Sequence, residues 1–301
     1  MGPTIGFIGL GEMGSGMAAN IIKAGYPLFV FDIDKMAVKK LEALGARIAG
    51  DFACLAEQCD WIILSLPDTL IVEKTLFDSG GLAQYLSPGQ IVMDCGTTHP
   101  LATKDFYERL FRKGIIFLDT PVSGMAKRAE EGTLTVMVGS SRAIFRKVKP
   151  VLASISKTIV YMGGPGSGQL AKVINNVFFN ISCATVAELF PLAVKMGLDP
   201  EKIVEVVGTG TGQSFALNFF GPLILERNFQ PGYPMGKAYK DMSTIIGVMD
   251  KYQVPVPVTM AAVSTYQMAL NQGLGHENKG AMVKVWEKVL DVEVKKGKKE
   301  K

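Results

Sequence analysis

The chain has 301 residues, 48% of them apolar, and this length and composition favour two domains with a buried core in each. Its formal net charge of +4 is accounted for by the C-terminus, where five lysines after residue 294 outweigh one glutamate. The rest of the chain is therefore neutral, which argues against a nucleic-acid-binding surface and predicts a solvated, frayed, Lys-rich tail over residues 291–301.

Cysteine usage and hydropathy indicate a cytoplasmic protein. The four cysteines show no CxxC pairing and no histidine-rich surroundings, so they predict reduced packing thiols and no metal site. The first 30 residues lack the basic segment of a signal peptide. The most apolar stretch, residues 177–196, contains Asn180, Glu188 and Pro191, which favours a buried domain helix over a membrane span.

The chain begins with a strand and a glycine-rich turn. An apolar run over residues 4–8 is followed directly by Gly9, Leu10, Gly11, Glu12, Met13 and Gly14. In a dinucleotide-binding site the first glycine makes a tight turn, the second leaves room for the pyrophosphate, and the third lets the helix pack closely on the strand. The pattern therefore predicts that phosphate binds to unpaired N–H groups at the start of a helix.

A second predicted strand, residues 28–31, ends in Asp32, which lies 18 residues past Gly14. At this separation a carboxylate accepts hydrogen bonds from the adenosine ribose and repels the 2′-phosphate of NADP. An ordinary turn between a strand and a helix would explain the glycines but not the acid. The two features together predict that the cofactor is NAD.

Strand-like runs alternate with helical stretches up to about Met162, whereas only helical signals follow. This order predicts an α/β fold with a Rossmann-type doubly wound parallel sheet over residues 1–162 and an all-helical domain over residues 163–290. In the second domain, Asp199 and Pro200 predict the start of a helix that Gly208 is expected to end.

The loops that follow predicted strands are the candidate ligand-binding segments, because ligands of such sheets bind beyond the carboxyl ends of the strands. These loops are residues 65–67, 95–98 and 120–124. We expect them to converge on the cofactor, which makes Leu66 and Pro67 cofactor-binding candidates.

Lys172 and Asn176 begin the helical domain and lie four residues apart, so they share one face of a helix. Hydride transfer to or from an alcohol requires one group that exchanges a proton with the substrate oxygen and another that fixes this oxygen. This pair can supply both. On spacing alone, a lysine extending from an apolar helix beside a structural asparagine explains the pattern equally well.

Four spaced motifs resemble those of the β-hydroxyacid dehydrogenase family. They are residues 9–20, residues 119–124 with 132–134 after them, the Lys172 and Asn176 helix, and Lys240 with Asp241. This family includes 3-hydroxyisobutyrate dehydrogenase, tartronate semialdehyde reductase and 2-(hydroxymethyl)glutarate dehydrogenase. The similarity extends over residues 4–290, and residues 282–287 are most similar to the 2-(hydroxymethyl)glutarate branch.

The resemblance implies roles for individual residues around the substrate. Lys172 would be the general acid and base, and Asn176 would hydrogen-bond the reacting oxygen. Ser123 and Gly124 would hold the substrate carboxylate through their N–H groups. Met125 stands where the family usually has a second glycine, so it would add a side chain to the wall of the substrate pocket.

The resemblance also implies cofactor contacts and the course of the reaction. Thr97 and Lys240 would contact the nicotinamide end of NAD from opposite sides of the cleft between the domains. The substrate would be a small 3-hydroxy acid or its semialdehyde. Phe179 stands where decarboxylating relatives carry a glutamate that donates a proton, so we expect oxidation without decarboxylation. Arg128 stands at a position where members of this family often have a glycine.

Two alternatives remain open from the sequence. One is an NADPH-dependent semialdehyde or glyoxylate-type reductase, and the other is a non-catalytic scaffold that binds a dinucleotide. Lys172 argues against the scaffold, because the non-enzymatic relatives lack this lysine. The resemblance further implies a homo-oligomer, a dimer or tetramer, whereas charge and hydropathy predict no membrane or nucleic-acid partner.

Overall fold

The computed structural model describes residues 2–230 and 232–297. The chain divides into two compact units, Met1–Lys172 and Val173–Lys301. The domain boundaries predicted from the sequence stay predictions, because one long helix begins in the first unit and continues in the second.

The first unit contains a nine-stranded sheet with the order β3-β2-β1-β4-β5-β6-β8-β7, and β9 pairs with β8. The first six of these strands are all parallel, in the order typical of a dinucleotide-binding fold. The strands are β1 (Ile5–Ile8), β2 (Leu28–Phe31), β3 (Arg47–Ile48), β4 (Trp61–Leu64), β5 (Ile91–Asp94), β6 (Ile116–Asp119), β7 (Val122–Ser123), β8 (Leu134–Gly139) and β9 (Ser156–Gly163).

Helices of the first unit alternate with these strands, and a separate apolar cluster lies on each face of the sheet. The predicted α/β fold is therefore confirmed. The helices are α1 (Glu12–Lys23), α2 (Lys35–Glu42), α3 (Phe52–Gln58), α4 (Thr69–Phe77), α5 (Pro100–Phe111), α6 (Met125–Glu130) and α7 (Arg142–Ile155), with a 3-10 turn at Leu82–Gln84.

Two strands, β8 and β9, differ in direction from the predicted parallel arrangement, and these two run parallel to each other. β8 runs antiparallel to β6, with Asp119 opposite Gly139, and also antiparallel to β7. A parallel connection needs a crossover of a dozen or more residues, usually with a full helix. The chain between β7 and β8 contains only the six-residue helix α6, which returns it alongside β7.

The second unit is helical, as predicted. Its core is formed by side chains from the long helix α8 together with Phe220, Tyr266 and Met282 from other helices and turns. The helices are α8 (Ser167–Lys195), α9 (Pro200–Thr209), α10 (Phe215–Leu225), α11 (Met235–Ala238), α12 (Lys240–Tyr252), α13 (Pro257–Asn271) and α14 (Val283–Leu290), with 3-10 turns at Leu274–His276 and Lys279–Met282.

The predicted cap of α9 is present, because the Asp199 carboxylate accepts the N–H of Glu201 at 2.8 Å. The predicted end at Gly208 is wrong by one residue. The helix continues to Thr209, and the N–H of Gly210 closes it on the carbonyl of Val206. Glycine therefore ends this helix, but the later of two closely spaced glycines does so.

The C-terminal segment is not a frayed tail over its first part. Val294 is completely buried, and its N–H donates to the Glu287 carboxylate at 2.7 Å. Arg227 pairs with the same carboxylate, and the N–H of Lys296 donates to the carbonyl of Leu225 at 3.0 Å. The remaining tail residues, 298–301, lie outside the described residues.

α8 is the one helix among the described residues that is long and apolar enough to cross a bilayer, by length and composition alone. One face of it, including Cys183, Ala187 and Phe190, lies in the core of the second unit, as a domain helix requires. Burial also raises the pKa of the Cys183 thiol to about 12, which fits the prediction of a packing thiol.

Candidate active site

The glycine-rich turn joins β1 to α1 in a shape that side chains would obstruct. Gly9 has a φ of +95°, and a Cβ there would lie 2.3 Å from the carbonyl oxygen of Ser65. A Cβ on Gly14 would lie 1.9 Å from the carbonyl oxygen of Gly9. In contrast, among the described residues no atom outside the adjoining backbone lies within 4 Å of a Cβ built on Gly11. The open side of the turn is thus at Gly11, where the pyrophosphate of NAD is predicted to approach.

The N-terminus of α1 directly follows Gly11, and no side chain caps it among the described residues, so its first N–H groups suit an anionic ligand. Asp32 holds the turn in place. One of its carboxylate oxygens accepts the N–H of Leu10 at 2.5 Å, and the other accepts the N–H of Asp34 at 2.7 Å. Each carboxylate oxygen accepts more than one hydrogen bond, so ribose hydroxyls can still donate to Asp32.

Two further predicted loops lie against this turn. The Leu66 side chain is 3.2 Å from a Cβ built on Gly9, and the Leu66 carbonyl oxygen is 2.8 Å from one built on Gly96. Thr97 follows Gly96 and is half-buried, whereas Pro67 is exposed. The structure therefore groups the turn, Leu66 and the loop that carries Thr97 at the carboxyl ends of β1, β4 and β5.

The loop predicted to bind the substrate carboxylate has an unusual backbone. Gly124 has a φ of +148° and Met125 a φ of +64°, so a methionine occupies the left-handed conformation that favours glycine. Such a conformation costs a non-glycine residue about 1–2 kcal/mol. Consecutive N–H groups in a turn of this kind form a concave site for an anion, which fits the role predicted for Ser123 and Gly124.

The Arg128 side chain packs against Gly124 of this loop. Its guanidinium donates to the carbonyl oxygen of Thr133 at 2.5 Å, and its Cβ and Cδ lie about 3 Å from a Cβ built on Gly124. Arg128 therefore takes up the space beside Gly124 with its aliphatic part, while its charged group is hydrogen-bonded to the main chain.

The start of α8 is fixed by a buried acid that sequence reasoning did not select. The Asp119 carboxylate, at the end of β6, accepts the N–H groups of Gly166 and Gln169, each at 2.8 Å. Burial raises the pKa of Asp119 to about 6, although these two hydrogen bonds act in the opposite direction. Asp119 thus caps the helix that carries Lys172.

Gln169 connects the same helix to the loop that carries Thr97. Its side-chain oxygen accepts the N–H of Thr98 at 3.0 Å, and its amide nitrogen donates to the carbonyl oxygen of Gly96 at 2.9 Å. Gln169 is completely buried. Its partners lie more than 70 residues away in the chain, and no local sequence pattern predicts such contacts.

Lys172 and Asn176 both lie on α8, one turn apart, as their spacing predicts. Lys172 is 9% exposed and is the last residue of the first unit. The amide nitrogen of Asn176 donates to the Asp241 carboxylate at 2.9 Å, within the second unit. Asp241 directly follows Lys240 at the start of α12, so the Lys240 motif and Asn176 are linked through Asp241.

Phe179 lies one turn beyond Asn176 on α8. Its ring stacks on Phe220 with a centroid separation of 6.1 Å and meets Phe215 edge to face at 5.6 Å. The Lys279 ammonium lies 4.3 Å from the centre of the Phe179 ring. The sequence analysis did not identify Lys279 as a candidate functional residue.

Comparison with known families divides the chain in the same order as the structure. Residues 4–163 match the family described as the NAD binding domain of 6-phosphogluconate dehydrogenase. Residues 166–286 match the family described as NAD-binding of NADP-dependent 3-hydroxyisobutyrate dehydrogenase.

Individual relatives are similar over nearly the whole chain. A 2-(hydroxymethyl)glutarate dehydrogenase from Eubacterium barkeri is 36% identical, over 97% of this chain and 98% of the relative. An NAD-dependent L-serine dehydrogenase from Pseudomonas aeruginosa is 32% identical, over 94% and 97%. A crystal structure of 3-hydroxyisobutyrate dehydrogenase from Salmonella typhimurium has 27% identity and a TM-score of 0.86, over 94% of this chain and 99% of that one.

Proposed function

Since the chain belongs to the β-hydroxyacid dehydrogenase family, we propose that it is an oxidoreductase that uses NAD to oxidise a small 3-hydroxy acid reversibly to its semialdehyde or keto acid. The observation that carries this proposal is the placement of Lys172 and Asn176 one turn apart on α8, with the Asn176 amide oriented by Asp241. An ammonium group and an amide donor on one helix face suit a reacting oxygen that gains and loses a proton.

The glycine-rich turn and Asp32 are the residues that would hold NAD, and the open space at Gly11 supports this assignment. When bound, NAD supplies the acceptor for the hydride from the substrate carbon. The protein provides orientation and proton transfer. Asp32 favours NAD over NADP, because its carboxylate repels a 2′-phosphate.

Lys172 accepts the hydroxyl proton at its side-chain nitrogen when the alcohol is oxidised and returns a proton when the carbonyl is reduced. Asn176 has two amide hydrogens, of which one is donated to Asp241, so the second serves to bind the reacting oxygen. The N–H groups around Ser123 and Gly124 hold the carboxylate of the substrate, with Met125 beside it. Leu66, Pro67, Thr97 and Lys240 complete the cofactor-binding set.

We further propose that turnover leaves the carbon skeleton intact. A decarboxylating enzyme needs an acid that protonates the carbon released by loss of CO₂, and Phe179 cannot donate a proton. Its ring also packs into an aromatic cluster with Phe215 and Phe220. Release of CO₂ in proportion to NADH would contradict this part of the proposal.

The outer face of α8 supports assembly with a second copy of the chain in the cytoplasm. Phe178, Leu189 and Leu192 are between 41% and 73% exposed on this helix, and Met196, directly after its end, is 74% exposed. Apolar residues exposed along one helix mark an interaction surface more often than a solvated one. Sedimentation of the purified protein would test this, and a monomer at micromolar concentration would contradict it.

The activity is tested by assaying a panel of 3-hydroxy acids with NAD and following NADH absorbance. We expect turnover of at least one 3-hydroxy acid, weaker turnover of the matching 2-hydroxy acids, and higher catalytic efficiency with NAD than with NADP. Absence of turnover with every 3-hydroxy acid, by a protein that still binds NADH, would favour the non-catalytic scaffold instead.

A further inference from the structure

A buried lysine lies against the helix that carries Asn176, one turn farther along. Lys279 is 6% exposed and belongs to the 3-10 turn Lys279–Met282. Its ammonium donates a hydrogen bond to the side-chain oxygen of Asn180 and lies over the ring of Phe179. Because Asn180 follows Asn176 by four residues, both asparagines lie on the same face of α8.

Besides the Lys279 ammonium, the side-chain amide of Asn180 is a second hydrogen-bond donor at this position. Its side-chain oxygen accepts from both the Tyr266 hydroxyl and the Lys279 ammonium, whereas its amide nitrogen is buried and has no hydrogen-bond partner among the described residues. Exchanging the amide oxygen and nitrogen would place an N–H₂ group against an ammonium, so the orientation is fixed by Lys279. A buried unpaired donor costs about 1–3 kcal/mol.

The charge of Lys279 is also unbalanced. Among the described residues no carboxylate lies within 4.0 Å of its ammonium, although Asp241 lies close enough to act on it electrostatically. The Asp241 carboxylate already accepts the amide of Asn176. Burial lowers the pKa of Lys279, as expected for a cation removed from water without a close counter-charge. An ammonium and an amide donor that have no carboxylate in direct contact among the described residues form a site suited to a carboxylate.

We propose that Lys279 and Asn180 bind a second carboxylate of the substrate, so that the preferred substrates are 3-hydroxy dicarboxylic acids. This inference rests on the proposed function. It goes beyond that function by assigning a substrate class and the residues that select it.

The spacing along α8 sets the length of the substrate. Asn180 lies four residues beyond Asn176, a rise of about 6 Å along the helix axis. A glutarate skeleton spans a comparable distance between a reacting group near Asn176 and a distal carboxylate at Asn180. We therefore expect a preference for a glutarate skeleton over the shorter succinate skeleton. Phe179 supports the site by holding the ammonium over its ring.

The test compares two substrates that share the reacting group and the first carboxylate. 2-(Hydroxymethyl)glutarate carries the distal carboxylate at the end of a carboxyethyl arm, and 3-hydroxyisobutyrate has a methyl group in place of this whole arm. We expect the wild-type protein to have the lower KM for the dicarboxylate. Lys279→Met removes the charge at similar volume and should raise this KM by about 10- to 100-fold, the range for loss of a charge-assisted hydrogen bond. The KM for 3-hydroxyisobutyrate, which lacks the distal carboxylate, should rise at least tenfold less than the KM for the dicarboxylate.

Two further variants separate a binding role from a structural one. Asn180→Asp keeps the acceptor for Tyr266 and Lys279 but adds a negative charge, so it should impair turnover of the dicarboxylate selectively. Lys288→Met removes an exposed lysine of α14 and should change neither substrate. Calorimetric binding of glutarate and butyrate adds a readout without turnover, and glutarate affinity should fall at least tenfold in Lys279→Met.

The outcomes distinguish this inference from the proposed function. Equal losses for both substrates in Lys279→Met and Asn180→Asp would overturn the carboxylate site, and so would a wild-type protein that oxidises 3-hydroxyisobutyrate with no gain for the dicarboxylate. In both cases the proposed dehydrogenase activity would stand. If no 3-hydroxy acid of the panel is oxidised, the proposed function fails, and unchanged glutarate affinity in Lys279→Met would separately overturn the carboxylate site.

Discussion

Replacing Gly168 by alanine is expected to reduce turnover without removing any group that contacts substrate or cofactor. Gly168 lies in the first turn of α8, four residues before Lys172 and on the same face. A Cβ at this position would lie 2.4 Å from the carbonyl oxygen of Met137, 2.8 Å from the Asp119 carboxylate and 3.0 Å from the N–H nitrogen of Gly139. Two of these three atoms are backbone atoms of β8, so they cannot rotate away.

The size of the effect follows from these distances. Ordinary contact of a Cβ begins at 3.4 Å, so the helix start must move about 1 Å away from Met137. A displacement of this size at a catalytic group costs about 100-fold in rate. Overpacking costs about 1–3 kcal/mol, which the better helix propensity of alanine offsets by about 1 kcal/mol. The Gly168→Ala variant should therefore lose far more activity than stability.

Steady-state kcat and thermal unfolding measure the two effects separately. Gly164→Ala is the matched control, because this glycine lies in the same connection but a Cβ there meets no atom within 4 Å. The control should match the wild type in both assays. The reasoning is refuted if Gly168→Ala keeps kcat within threefold of the wild type with unchanged stability, because close packing of the helix start on β8 would then have no part in placing Lys172.

Three other predictions concern the cofactor, the proton transfer and pH. Lys172→Ala should lower kcat by about 10²–10⁴-fold with little change in NADH affinity measured by fluorescence; turnover within a few-fold of wild type would remove Lys172 from catalysis. Asp32→Ala should reduce the preference for NAD over NADP in catalytic efficiency, and an unchanged ratio would show that Asp32 does not contact the ribose. Because the pKa of Asp119 is raised to about 6 in the folded protein, its contribution to stability is full below pH 4 and is lost as the pH rises to about 6. The unfolding free energy of the wild type relative to Asp119→Asn should therefore fall by about 3 kcal/mol between pH 4 and pH 7, and a constant difference in urea titrations would contradict the raised pKa.

Sequence patterns predicted those parts of the site that depend on local geometry. The glycine-rich turn, the strand that ends in Asp32 and the single face shared by Lys172 and Asn176 all follow from spacing within one or two elements. The positive φ at Met125 agrees with the family resemblance, in which this position is usually occupied by a glycine. In each case the residues that determine the geometry lie within a short stretch of the chain.

The remaining features depend on contacts between distant residues. Asp119 accepts hydrogen bonds from Gly166 and Gln169, which lie 47 and 50 residues later in the chain. The buried environment of Lys279 is built by α8 and α13 and has no counterpart in the local sequence, where the lysine follows Glu277 and Asn278 as a surface residue would. The direction of β8 was also missed, because a strand's own residues do not specify the sense of its pairing.

The capped start of α8 affects where two enzymes of this family can be joined to make a chimera. Recombination usually succeeds in exposed loops, and the glycine-rich connection at residues 163–166 is the obvious junction. A junction there would take the start of α8 from one parent and Asp119 with the 95–98 loop from the other. Gln169 would then face segments of a different protein, although it forms hydrogen bonds to both segments in the native chain. Chimeras should therefore tolerate a junction inside α8, after Lys172, better than one in the loop. Lys172, the proposed proton-transferring group, would then be inherited with the first unit, and Asn176 with the second unit, which carries the proposed carboxylate site.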